Sequence, residues 1–120
     1  MNSKTQNQGY QIEQKAMCFL QSAGLVYIRK NFHCAYGEID LIMQDKNYLV
    51  FVEVRSRNNS QYGNAVESIV SSKQKKLIKT ASYYLQQNNL YNKVDCRFDV
   101  IGQDTNQKLY WIKNALEVQY

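Results

Sequence analysis

Tyr36–Arg57, Y-G-E-I-D-L-I-M-Q-D-K-N-Y-L-V-F-V-E-V-R-S-R, decides the fold. It reads as two apolar strands joined by a tight turn at Asp45-Lys46-Asn47, where asparagine tolerates φ > 0. Leu49–Val54 is a run of large and β-branched residues broken only by Glu53, and Leu41, Ile42 and Met43 follow directly on Asp40. Strands apolar on both faces belong in the middle of a covered sheet. A carboxylate there needs a cation, an ion-pair partner or hydrogen bonds, because burying an unpaired charge costs several kcal/mol.

The register sharpens this. With Lys46 and Asn47 as a two-residue loop, Asp45 pairs with Tyr48, Asp40 falls opposite Glu53, and Glu38 falls opposite Arg55. Directly opposed residues share a face, with Cβ atoms about 4.5–5.5 Å apart. Glu38 and Arg55 then read as an ordinary cross-strand ion pair. Asp40 and Glu53 do not, since like charges in that relation destabilise a sheet. Either an arginine (Arg29, Arg55 or Arg97) neutralises them, or a divalent cation does. Mg²⁺ usually takes only one or two carboxylates, with water and substrate phosphate completing its shell. Asp40, Glu53 and the Val54 backbone carbonyl suit Mg²⁺ or Mn²⁺. Such an ion activates water and neutralises charge building on a phosphate. Arg55 or Lys73 would hold the phosphate or the nucleophile.

Outward from the hairpin, residues 1–8 form a flexible polar N-terminus and 9–120 a single domain. A helix is expected over Gly9–Ala23, with Ile12, Ala16, Phe19, Leu20 and Ala23 at helical spacing and Gly24 as its natural end. Glu13 lies beside that apolar stripe, which makes it a plausible third acid over the hairpin end. Leu25–Phe32 reads as a first strand. A second helix spans Ala65–Gln87, apolar along Val66, Ile69, Val70, Leu77, Ile78, Ala81, Tyr84 and Leu85. Lys73 falls on that inward row, whereas Lys75, Lys76 and Lys79 point to solvent. Cys96–Gly102 and Leu109–Lys113 make a last hairpin. The order is α-β-β-β-α-β-β, an α/β fold with a mixed central sheet flanked by helices.

The chain has 120 residues, 44% of them hydrophobic, enough for one real core. A net charge of +5 favours an acidic partner, with nucleic acid the commonest. Three scattered cysteines, Cys18, Cys34 and Cys96, have no C-x-x-C spacing and fit a reducing compartment, not a disulfide framework or a zinc site. No apolar run approaches membrane-spanning length and the N-terminus has no signal-like core, so a cytoplasmic protein without a membrane partner is expected. Asp99, in R-F-D-V, reads as a partner of Arg97 or a support of the fold. Tyr83, Tyr84 and Tyr110 read as core or core-edge residues. For contact with nucleic acid the candidates are Arg29, Arg57, Lys73 and Lys76 for phosphates and Tyr62 for bases.

An acid in the first helix, then Asp40, then Glu53-x-Arg55 at the end of the third strand follow the PD-(D/E)xK nuclease arrangement. N-F-H-C-A-Y-G-E-I-D-L-I, F-V-E-V-R-S-R, Y-G-N-A-V, S-K-Q-K-K-L, C-R-F-D-V-I and W-I-K-N-A together resemble the YraN-like family of small bacterial proteins. That resemblance covers Gly9 to Leu116 and implies a restriction-endonuclease-like fold, related to Holliday-junction resolvases. It implies a nuclease or nucleic-acid-binding role, on DNA before RNA, with homodimers as in resolvases. Glu13, Asp40, Glu53 and Arg55 take the catalytic positions. Arg55 departs from the superfamily's lysine: arginine stays protonated and binds or stabilises charge, whereas lysine can act as a base. Nucleases of this superfamily sometimes take that lysine from a neighbouring helix, which is the place of Lys73. Three functions are therefore in view: a metal-dependent endonuclease on DNA, including branched or recombination intermediates; a nuclease-fold nucleic-acid-binding module without chemistry; and a protein-assembly domain.

Overall fold

The structure, a computed structural model, describes residues 4–56 and 71–116, and from residue 11 onward their side chains. Arg57, Tyr62 and the 65–70 part of the expected second helix lie outside the described residues. The elements are α1 (Lys4–Ser22), β1 (Val26–Cys34), β2 (Gly37–Asp45), β3 (Tyr48–Ser56), α2 (Ser71–Gln87), β4 (Asp95–Gln103) and β5 (Leu109–Ile112). This is the expected order. The strands form one sheet in the sequence β1-β2-β3-β4-β5. Only β3 and β4 run parallel, as a connection through a helix requires; the other pairs are antiparallel.

Two apolar clusters sandwich the sheet. Leu49 and Phe51 of β3 face α2, meeting Leu77, Ala81 and Tyr84. Val50 and Val52 face α1, meeting Ala16 and Leu20. Period-two alternation thus gives both faces of β3 to the core, which is why the run needs no polar break. Each such side chain, fully buried, contributes about 1.5–3 kcal/mol. Gly37 lets α2 sit close on β2: a Cβ there would lie 3.1 Å from Thr80 Oγ1 and 3.7 Å from Lys76 Cβ.

Several expectations change in detail. α1 begins at Lys4, five residues before the apolar period placed it and inside the segment read as a flexible tail. Lys4, Gln6 and Gln8 are good helix formers, a propensity that the apolar period does not register. The β2–β3 loop has two residues as expected, with Asp45 paired to Tyr48. Lys46, not Asn47, takes the left-handed conformation (φ 54°), and the Gln44 amide donates to the Lys46 carbonyl at 2.7 Å. Tyr83, expected in or at the core, is 40% exposed, whereas Tyr84 is buried.

Asp99 is the polar anchor of the far side of the sheet. Its carboxylate, fully buried, accepts from Arg97 Nε at 3.0 Å, Trp111 Nε1 at 2.9 Å and the Asn114 backbone N–H at 2.9 Å. Arg97 also donates to Asp45 at 2.8 Å, tying β4 to the β2 end of the hairpin. The Arg97–Asp99 pairing read from the sequence is present. Asp99→Ala leaves an indole N–H and a main-chain N–H without their acceptor and a part-buried guanidinium with Asp45 alone, and should cost about 3–5 kcal/mol. Urea denaturation should show the midpoint falling with the slope unchanged; a loss under about 1 kcal/mol would contradict this account of the anchor.

Candidate functional site at the fork of two strands

The central hairpin does not stay zipped. β2 and β3 pair from Asp45–Tyr48 to Leu41–Val52 and then part. Beyond that point β2 continues against β1, to Gly37–Cys34, and β3 continues against β4, to Ser56–Gln103. At the crotch the Asp40 carboxylate replaces the main chain: Val54 N–H donates to Asp40 Oδ2 at 2.8 Å. Alternation along β2 breaks there as well, since Ile39 and Ile42 both join the α2-side cluster while Leu41 faces α1. Across on β1, the paired residues step from Lys30–Leu41 to Phe32–Ile39, and the intervening Asn31 has a φ of 53°. Such irregularities re-aim side chains and end pairing.

The fork gathers acids. Glu53 is buried (7% exposed) and Asp40 half-buried. Burial, then the charge of Glu53 and a carboxyl–carboxyl hydrogen bond to it, pushes the Asp40 pKa up to about 8; the bond from Val54 opposes this, and Glu13 adds to it. At neutral pH Asp40 therefore keeps its proton, hydrogen-bonded to Glu53. Burial, then Glu38, also raises Glu13 above the usual carboxylate range, offset in part by Lys30 and by a hydrogen bond from the Asn31 side chain. Glu13, on α1, thus lies within charge range of Glu53 and Asp40, with its larger coupling to Glu38.

From the opposite face come cations. Lys73 Nζ lies 2.9 Å from Glu53 Oε2, and Arg55 Nη1 lies 3.5 Å from the same oxygen. The inward row of α2 therefore delivers a lysine closer to Glu53 than the strand delivers its arginine. Glu38 and Arg55 are not ladder partners as the extended register predicted, because the strands have already separated. Glu38 instead lines a cleft of about 250 Å³ with Gly37, Ser72, Lys73 and Lys76. Arg29 and Arg97 do not serve the acid pair. Arg29 lies over the Phe32 ring at 5.0 Å, and Arg97 is spent on Asp45 and Asp99. Asn31 is the residue that sequence reasoning missed; an asparagine inside a strand, next to the apolar Phe32, was the available signal.

Among the described residues no three His, Cys, Asp or Glu side chains close into a complete metal cage. The donor set is the open kind: a buried and a half-buried carboxyl group joined through the Asp40 proton, which a divalent cation could displace. It lies near the carboxyl ends of the parallel β3–β4 pair, where open α/β sheets commonly place ligands. Larger clefts lie elsewhere, one of about 650 Å³ around Asn47, Asn92 and Val94 and one of about 490 Å³ between α2 and the start of β4 around Ile78, Cys96 and Phe98, and neither holds Asp40, Glu53, Glu13 or Lys73. We locate the candidate site by its chemistry, not by cavity size. No helix among the described residues is long and apolar enough to cross a membrane.

Comparison with known proteins follows the same stretch. Residues 12–102 match the family described as "Uncharacterised protein family UPF0102". A UPF0102 protein of Coxiella burnetii (strain RSA 331) is 48% identical over 120 residues, covering 100% of both chains. One from Legionella pneumophila (strain Philadelphia 1) is 45% identical over 94% of this chain and 97% of its own. One from Neisseria gonorrhoeae is 48% identical over 89% of this chain and 92% of its own. Among solved structures, Pyrococcus furiosus SfsA in complex with Ca²⁺ is 12% identical, with a TM-score of 0.30, over 95% of this chain and 65% of that one. A likeness that slight carries no argument.

The Asp40 proton has a sign that can be measured. With its folded-state pKa raised to about 8, Asp40 holds a proton that the unfolded chain has already released. The native state therefore binds more protons than the unfolded state between about pH 4 and 8, and stability falls as pH rises through that window. Thermal unfolding of the cation-free protein should show the fall, and Asp40→Asn should flatten it. A wild-type stability that climbs from pH 5 to 8 would contradict a proton held on Asp40.

Proposed function

The chain belongs to the UPF0102 family, and we propose that it is a divalent-cation-dependent phosphodiesterase acting on nucleic acid, DNA before RNA. The observation that carries this reading is the buried Asp40–Glu53 pair at the fork, with Lys73 Nζ 2.9 Å from Glu53. Asp40, Glu53 and the Val54 carbonyl would hold Mg²⁺ or Mn²⁺. When bound, the ion supplies Lewis-acid charge at a phosphoryl oxygen and lowers the pKa of a water.

The chain's own residues supply the rest. Asp40 is fixed by the Val54 N–H at Oδ2 and is hydrogen-bonded to Glu53, which orients its carboxyl group. Once its ammonium has released a proton to solvent, Lys73 is suited to accepting the proton of the attacking water, a sequence closed to a guanidinium. Arg55, only partly exposed and 3.5 Å from Glu53, is suited to the phosphate charge. Glu13, already raised by burial, is placed to orient the water. This matches the PD-(D/E)xK order with the lysine taken from a helix, and is the best support for a nuclease of that superfamily.

A second reading has one observation in its favour. Lys73 and Arg55 already neutralise Glu53, as they would in a nuclease-fold module that binds nucleic acid without cleaving it.

Labelled single-stranded, duplex and branched DNA, incubated with purified protein and Mg²⁺ or Mn²⁺, separates the two. We expect cleavage that Asp40→Ala or Glu53→Ala abolishes and that Lys73→Met lowers by about 10²–10⁴-fold. Arg55→Lys should retain more activity than Lys73→Met. Cleavage that survives loss of either carboxylate would overturn the mechanism; salt-sensitive binding without cleavage under every condition would favour the second reading.

A further inference from the structure

The cleft beside the acids has a neighbour on the same helix. A second one, of about 340 Å³, follows it along α2 and is lined by Tyr36, Lys79, Ser82, Tyr83 and Gln86. On α2, Ser72, Lys76, Lys79 and Tyr83 fall at i, i+4, i+7 and i+11, a single stripe flanking the inward row of Lys73, Leu77, Thr80 and Tyr84. The opposite wall is the β1–β2 turn, where Tyr36 precedes Gly37 and Glu38. From Ser72 to Tyr83 the stripe runs about 16 Å.

Its far end is aromatic and open. Tyr36 is 50% exposed and Tyr83 40% exposed. Their ring centroids are 6.2 Å apart, edge to face, and Tyr83 is backed by the buried Phe32 at 6.3 Å. Two large rings so exposed forgo burial, yet they are held in fixed relation by a core residue. Lys76 and Lys79, both exposed, lie between this pair and the acids.

We propose that this stripe is a binding track for an unpaired nucleic-acid strand, with Lys76 and Lys79 on successive phosphates and Tyr36 and Tyr83 stacking the bases that leave the carboxylate site. It rests on the phosphodiesterase reading and adds the form of the substrate. Lysines alone would suit any polyanion. The tyrosine pair is what selects nucleobases, and ring faces can be stacked only by bases that are not already stacked in a duplex. A duplex would present phosphates to the lysines and leave the rings idle.

The test is fluorescence anisotropy of the full-length protein with a labelled oligothymidylate, in EDTA, so that binding is read without cleavage. We expect the single strand to bind more tightly than a duplex of equal length. The double variant Tyr36→Ala/Tyr83→Ala should weaken single-strand binding by about tenfold or more, while Tyr36→Phe/Tyr83→Phe retains it. Lys76→Gln and Lys79→Gln should each reduce the salt dependence of binding by nearly one counterion (about 0.7 for a single strand). Equal affinity for duplex and single strand with no effect of the alanine pair would overturn the track, as would equal competition by polyglutamate. Because EDTA silences cleavage, loss of the track and loss of the phosphodiesterase reading remain separate results.

Discussion

One hydrogen bond sets the architecture of the site: Val54 N–H to the Asp40 carboxylate. In an unbroken hairpin that N–H would find a main-chain carbonyl on β2, and Asp40 would be one more residue on a flat sheet. A side chain takes the carbonyl's place, so β2 and β3 part without leaving a buried donor unmet. The opening admits Glu13 from the α1 side and Lys73 from the α2 side to one pair of carboxyl groups. Without the fork, the two faces of the sheet could not share a site.

The cost of that arrangement is electrostatic. Asp40 and Glu53 stand together with little solvent to screen them, Glu13 adds its charge from α1, and in the cation-free protein the Asp40 proton, Lys73 and Arg55 relieve the repulsion. These compensations are reversible. A proton can leave and a lysine on a long stem can swing, whereas Asp99, locked by Arg97, Trp111 and Asn114, has no such freedom. Two buried acids in one chain thus play different parts, set by whether their partners are fixed. Asp99 anchors the fold, and the proposed chemistry belongs to the fork.

Much of this was legible in the residues. The two-residue loop fixed the hairpin register, and the register put Asp40 and Glu53 at the same level. The helical period put Lys73 on the inward row, where it meets Glu53. What could not be read was where the ladder ends. Periodicity describes strands that stay paired, so extending it to Glu38 and Arg55 predicted partners in a region where the strands diverge. Asn31 escaped notice for a related reason: a left-handed residue inside a strand breaks the alternation that identifies the strand. Tyr83 was assigned to the core edge because an aromatic next to an apolar row usually packs inward; only the fold shows it beside Tyr36.

A cation-dependent site at the fork requires the carboxyl pair to exchange the Asp40 proton for a divalent cation. Calorimetric titration of Mn²⁺ into the protein near neutral pH, repeated in buffers of different ionisation enthalpy, measures both events together. The account predicts one bound ion per chain, with close to one proton released, and loss of both in Asp40→Asn. Binding without proton release, or binding that Asp40→Asn leaves intact, would contradict it.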